Sequence, residues 1–270
     1  MNPFVKWAGG KSQLLPELTR RIPPYTGTYY EPFLGGGALL LNLQPNRAVL
    51  NDINASLLNV YAWIKTDVQG LIACLDGLNQ KDCNQALYNE LRETYNRQKD
   101  DKSIQSAALF IWLNKYSFNG LYRVNKSGNF NVPWNKKTHT PVYDKENLYA
   151  ISAYLRQNQV VFKNADFEET CQSCAQDDFV YFDSPYVPMG KSSDFTNYTK
   201  DGFAYQDHVR LRNLLDSLSH RNVKCMLSNN DTYLVHDLYK NYRIESIPVH
   251  RNINANGRNR TSQEVIITNY

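Results

Sequence analysis

Four consecutive residues, Asp183, Ser184, Pro185 and Tyr186, close the apolar run Phe179-Val180-Tyr181-Phe182. An acid at that point can accept hydrogen bonds from an amino group, and a tyrosine beside it offers a flat face on which a planar base can stack. The same four residues also suit an ordinary turn, because Asp, Ser and Pro all favour one. A second group lies upstream: Gly35, Gly36 and Gly37 follow the aromatic stretch Tyr29-Tyr30-Glu31-Pro32-Phe33, and Asp52 closes Ala48-Val49-Leu50-Asn51. Glycines after a strand let the backbone approach a ligand closely, and an acid ending the next strand can accept from ribose hydroxyls. These glycines do not form G-x-G-x-x-G. Gly9-Gly10-Lys11-Ser12 lacks the first glycine and the preceding strand of a phosphate loop, so neither a dinucleotide nor a nucleoside triphosphate is favoured.

Acids at strand ends do chemistry only if a sheet holds them side by side, and the sequence supplies such a sheet. The pattern Tyr29 to Phe33, three glycines, a helical run from Ala38 to Leu43 and a strand from Ala48 to Asp52 is the opening of a βαβ unit. Before it, an apolar-periodic run from Leu14 to Ile22 predicts a helix closed by Pro23-Pro24. From Ala55 to about Lys115 the pattern is helical and charged. Phe118 to Trp134 predicts a hairpin of two short extended pieces around Ser127-Gly128. Strands resume at Val160 to Lys163 and Phe179 to Asp183, followed by a helix from Asp207 to Ser219, a strand from Lys224 to Ser228, a segment from Thr232 to Tyr239, and a closing strand pair near Ile244 to Val249 and Glu264 to Thr268. The reading is an α/β core, residues 1–56 and 145–270, interrupted at 57–144 by helices and a hairpin.

The composition of the 270 residues is that of a globular protein, with 42% hydrophobic and 21% charged residues and a net charge of +4. That balance alone does not announce a nucleic-acid partner. Its 19 Tyr, 11 Phe and 4 Trp are rich in rings that either stack on bases or fill cores. No apolar run is long enough to cross a bilayer and the first residues lack a signal-peptide core, so a cytoplasmic location without membrane is expected. Five cysteines are expected to be reduced, and the single Cys171-x-x-Cys174 pair has no second ligand pair to answer it, so no metal is expected.

Taken in order, Trp7 to Lys11, Glu31 to Gly37, Asn51-Asp52, the Phe118 to Pro133 hairpin, Asp166-Phe167, Asp183 to Tyr186, Ser228 to Asp231 and the basic segment Arg251 to Arg260 resemble the Dam-type DNA adenine-N6 methyltransferases. The resemblance runs nearly end to end. It implies a Rossmann-like, S-adenosylmethionine-dependent methyltransferase fold with a mainly parallel seven-stranded sheet, in which 1–56 and 145–270 form the catalytic domain and 57–144 a DNA target-recognition domain. It also implies S-adenosylmethionine as methyl donor and adenine within GATC of double-stranded DNA as acceptor. By this similarity Trp7, Lys11, Phe33, Gly35, Gly36, Gly37, Asp52, Asp166, Phe167 and Asp183 would contact the donor, with Asp52 on the ribose and Asp166 and Phe167 at its adenine. Arg123 would read a guanine, Leu121 and Pro133 would make apolar contacts, Asn119 and Asn125 would hydrogen-bond nearby, and Phe118 would enter the base stack. Lys6, Arg251, Arg258 and Arg260 would meet phosphates or flanking DNA.

The chemistry stands apart from the resemblance. An adenine amine is a poor nucleophile because its lone pair is delocalised into the ring. Two acceptors, the Asp183 carboxylate and the main-chain carbonyl of Ser184, can each take one N–H and draw the nitrogen towards tetrahedral geometry, while Tyr186 stacks on a base flipped out of the helix. The resembled motif is Asp-Pro-Pro-Tyr, and here Ser184 replaces the first proline. A carbonyl acceptor survives that change, and Pro185 still biases its predecessor towards extended conformations. Two alternatives stand beside the enzyme reading: a GATC-binding relative weakened by Ser184, and a methyltransferase acting on cytosine N4 or on RNA.

Overall fold

The structure is a computed structural model and describes residues 1–11, 13–189, 203–250 and 261–270. Seven strands, β1 (Tyr29–Glu31), β2 (Arg47–Asn51), β3 (Gln159–Lys163), β4 (Phe179–Phe182), β5 (Lys224–Asn230), β6 (Arg243–His250) and β7 (Thr261–Thr268), form one sheet in the order β3-β2-β1-β4-β5-β7-β6. β1 runs parallel to β2 and β4, and β4 parallel to β5; β7 lies antiparallel between β5 and β6. The expected α/β class with a mainly parallel seven-stranded sheet is therefore present. Every residue of β4 is buried, as an unalternating apolar run covered on both faces must be.

The chain divides into two compact units. The sheet unit comprises Lys11–Leu34, Arg47–Asn51 and Ala165–Tyr270. It contains helices α1 (Leu15–Thr19), α8 (Phe167–Thr170), α9 (Tyr205–His220) and α10 (Tyr233–Leu238). Its core packs Val180, Phe182, Leu211, Leu215, Val235, Val265 and Ile267 around the buried thiols of Cys171, Cys174 and Cys225. A hydrogen bond with Cys174, together with burial, holds the Cys171 thiol well above its usual range, so this C-x-x-C packs as apolar filling. α1 stops three residues short of the predicted Ile22.

The helical unit comprises Met1–Gly10, Gly35–Asn46 and Asp52–Asn164. Here α2 (Ala38–Leu43) is followed by α3 (Ala55–Thr66), α4 (Val68–Leu78), α5 (Gln85–Gln98), α6 (Ile104–Tyr116) and α7 (Lys145–Gln157). The last five each start at a side-chain cap, Asn54, Asp67, Asn84, Ser103 or Asp144, which accepts a backbone N–H three residues on. α6 is buried almost all round and packs against α3, α4 and α5. No helix among the described residues is long and apolar enough to cross a membrane.

The predicted hairpin is present as a loop rather than as two strands. Isolated antiparallel bridges join Ser117 to Trp134 and Val124 to Phe130, and Phe118–Gly120 forms a short 3-10 turn. Asn119 and Gly120 both adopt positive φ, 56° and 67°. Two left-handed residues in succession cannot continue a strand.

Candidate active site

β4 ends in the middle of the sheet and hands the chain to Asp183, outside the carboxyl ends of the parallel strands, where ligands of open α/β sheets bind. Lys11 Nζ approaches Asp183 Oδ1 to 2.6 Å and lies 4.5 Å from the centre of the Tyr186 ring. Tyr186 in turn donates its hydroxyl to Glu264 Oε2 at 2.9 Å, from β7. Ser228 on β5 donates to Asp183 Oδ1 at 3.4 Å and shares a bond with Tyr181. Burial pushes the Asp183 carboxyl up and Lys11 pulls against it. Burial, reinforced by the charge of Asp183, drives Tyr186 well above its usual range, so the phenol remains a neutral donor.

The end of β5 clamps the chain beyond Tyr186. Asn229 Oδ1 accepts from Val187 N at 2.9 Å, and Asn230 Nδ2 donates to Val187 O at 2.6 Å. Ser184 is 2% exposed and Pro185 is exposed. The Ser184 hydroxyl and Asn229 Nδ2 have no hydrogen-bond partner among the described residues. Buried polar atoms of that kind are rare in a finished core and common where a ligand or water completes the site.

In the same unit three rings gather: Phe33 lies 5.4 Å from Phe167 and 5.8 Å from Phe203, centre to centre. Asp166 caps α8 by accepting from Glu168 N, and the same Oδ1 takes an ion pair at 2.7 Å from Arg210. Arg210 also holds Glu168 and Asp207 and lies 4.7 Å over the Phe167 ring. Hydrogen bonds to Glu168 lead the causes that raise its pKa, so it is a fixed cation.

The helical unit carries the glycine loop. Gly35, at φ +50°, donates its N–H to Asp52 Oδ2 at 2.8 Å, and Asn54 N donates to Asp52 Oδ1 at 2.8 Å. Burial raises the Asp52 carboxyl and these two N–H groups oppose it. A Cβ placed on Gly35 would meet Trp7 Cδ1 at 2.7 Å, which is closer than any side chain could come. Gly37 caps α2 in the left-handed region, and Gly36 passes against Trp7 Cβ.

In the same unit the hairpin presents Phe118, Asn119, Leu121, Arg123, Asn125 and Pro133 as exposed residues. Phe118 at 52% and Leu121 at 38% are apolar groups left in water. Arg123 Nε donates to Asn131 Oδ1 at 2.9 Å, which aims the guanidinium without burying it. Asn125 is occupied with its own turn, accepting from Ser127 N and Asn129 N. Lys6 is exposed, while Arg251, Arg258 and Arg260 lie outside the described residues.

Sequence reasoning grouped Asp183 and Tyr186 in one motif and placed Lys11 apart, and the structure brings Lys11 to both. It missed Glu264, Arg210 and Asn131, which hold Tyr186, Asp166 and Arg123. Each partner is distant in the chain or of unremarkable type, so only Asn131, eight residues from Arg123, left a local signal.

Comparison with known proteins gives a consistent result. Residues 7–253 match the family described as D12 class N6 adenine-specific DNA methyltransferase. A type II methyltransferase of Lactococcus lactis subsp. cremoris is 39% identical over 273 residues, covering all of this chain and 96% of that protein. A type II methyltransferase of Methanocaldococcus jannaschii is 36% identical over 289 residues, covering 100% and 99%. The DNA adenine methylase of Escherichia coli K12 is 30% identical over 268 residues, covering 99% and 94%.

Proposed function

Because the chain belongs to the D12 class of N6 adenine-specific DNA methyltransferases, we propose that it moves a methyl group from S-adenosylmethionine to N6 of adenine within GATC of double-stranded DNA. The base is flipped out and the transfer is direct and in line. The observation that carries this reading is the cluster of Lys11, Asp183 and Tyr186 at the end of β4.

The residues present fit the donor. In the helical unit, Gly35 is a position that only a residue without Cβ can fill beside Trp7, and Asp52 keeps acceptor capacity for ribose hydroxyls because each of its oxygens takes only one backbone bond in the described contacts. In the sheet unit, Phe33 and Phe167 supply apolar faces for a purine, and Asp166 is held in one rotamer by Arg210. S-adenosylmethionine supplies an electrophilic methyl group on a sulfonium sulfur.

The protein's part is orientation. Asp183 and the carbonyl of Ser184 accept the two N6 hydrogens, Lys11 keeps the carboxylate ionised against its burial, and Glu264 fixes the ring of Tyr186 for stacking. Asn229 and Asn230 fix the backbone beyond the motif at Val187. For sequence readout, Arg123 is the group suited to bidentate bonding with guanine in the major groove, and Phe118 is the exposed ring suited to enter the stack. Cytosine N4 and RNA acceptors find no support in the N6-adenine class.

Plasmid recovered from cells expressing the protein should resist a nuclease that cuts only unmethylated GATC. Labelled donor should mark a GATC duplex and not its scrambled counterpart. Equal labelling of both duplexes would remove GATC as target, and transfer no greater than that of an Asp183→Ala chain would remove the catalytic assignment.

A further inference from the structure

Asn114, on α6, is 1% exposed, and its side chain makes three hydrogen bonds to backbone. Oδ1 accepts from Lys6 N at 2.9 Å, while Nδ2 donates to Lys6 O at 2.9 Å and to Gly120 O at 2.8 Å. One buried amide therefore fastens the segment carrying Lys6 and Trp7 to the first turn of the hairpin. The fit is close: a Cβ on Gly120 would lie 2.5 Å from Lys6 Cδ.

The Trp7 ring makes a second connection. It stacks on Tyr122 of the hairpin at 5.7 Å and 23°, and on Phe110 of α6 at 6.2 Å and 22°. Tyr122 and Phe110 stack on each other at 4.9 Å. The Tyr122 hydroxyl reaches that of Tyr95 at 3.2 Å, and its ring meets Phe130. Trp7 also walls the glycine loop at Gly35. The same indole is thus shared by the loop and by the hairpin.

We propose that Tyr122 and Asn114 are positioning residues that couple donor binding to duplex binding through Trp7. The inference rests on the reading of loop and hairpin given above. A donor held at the loop fixes the indole, and with it the surface on which Tyr122 stacks, so the hairpin has less freedom left to lose when it docks on DNA. Linkage makes the effect reciprocal: DNA tightens donor binding by the same factor.

The test measures the affinity of S-adenosylhomocysteine, by calorimetry, with and without saturating GATC duplex. The wild-type chain should bind it at least about fivefold more tightly with duplex present. Tyr122→Leu should bring that ratio below about two while leaving the affinity without DNA within about twofold, and Tyr122→Phe, which keeps the stack, should preserve the ratio. Asn114→Asp, which loses the two donated bonds, should lower it as well. A ratio of one in the wild type, or a Tyr122→Leu chain that retains the wild-type ratio, overturns the coupling alone. A wild-type chain that binds neither ligand overturns the functional reading beneath it.

Discussion

Lys11 Nζ sits 2.6 Å from Asp183 Oδ1, with the lysine 5% exposed and the carboxylate 21%. In such a pair the cost of desolvation and the attraction nearly balance, so removing one partner is felt far more than the pair's net worth. Burial already raises Asp183 and Lys11 opposes the rise.

Lys11→Met should therefore raise Asp183 further. In the proposed mechanism the carboxylate acts in its ionised form, so activity is lost as pH falls through its pKa, and the acid limb of kcat/KM should move to higher pH. At neutral pH the rate should drop by about tenfold or more. A rate profile with an unmoved acid limb would show that Lys11 does not govern this carboxylate.

Glu264 acts with the opposite sign. Its charge contributes to raising Asp183, so Glu264→Gln, which can still accept from Tyr186, should shift the acid limb to lower pH with little loss of maximal rate. Glu264→Leu leaves the Tyr186 hydroxyl without its acceptor, which costs about 1–3 kcal/mol. Thermal unfolding should register that cost, and kcat should fall roughly tenfold.

Gly35→Ala asks for a side chain at φ +50° and 2.7 Å from Trp7. Strain of about 1–3 kcal/mol is expected, read as donor affinity weakened by about tenfold or more in calorimetry. Gly77 in α4, with nothing within 4 Å of an added Cβ, is the control. There Ala should stabilise the chain by about 0.5–1 kcal/mol.

His208 on α9 is 5% exposed, packs edge-on against Phe203, and has its pKa lowered by burial to about 4. A histidine depressed in the folded state leaves the unfolded chain holding more protons between about pH 6.5 and 4, so stability falls as pH falls across that window. The full effect is on the order of 3 kcal/mol. Asp183 and Asp52, both raised by burial, work in the opposite direction towards the acid end. His208→Phe should flatten the loss of Tm between pH 7 and 5, and an unchanged slope would contradict the assignment.

Arg123→Ala should cost about 1–3 kcal/mol of discrimination at a guanine of the site, measured as relative kcat/KM on single-base variants of the duplex. Asn131→Ala frees the guanidinium and should produce a smaller loss of the same kind.

The parts of this site that could be read directly are those where a strand simply stops. β2 and β4 end one residue before Asp52 and Asp183 because both are short apolar runs closed by an acid, and α2 spans Ala38–Leu43 as its leucines suggest. Helix α7 escaped notice, although Asp144 caps it and Leu148, Ile151 and Leu155 face inward at helical spacing. The bond between Tyr186 and Glu264 spans 78 residues, and no local period reports a pairing made across a sheet. Asn114 reads in sequence as a polar interruption of an apolar helix, and only its three backbone partners show why it is there.

Ser117 bridges Trp134, and Phe118 N donates to Pro133 O at 2.8 Å, so residues 118–133 leave and re-enter the fold at one doorway. Residues on and beside α5 and α6 also hold this segment from within: Asn96 bonds the Phe130 backbone both ways, Lys99 donates to Gly128 O, and Asn114 donates to Gly120 O. The ring at 122 is held as well, against Trp7 and Phe110. Sequence changes between the two bridges should be tolerated most readily where Gly120, Tyr122 and Phe130 are kept.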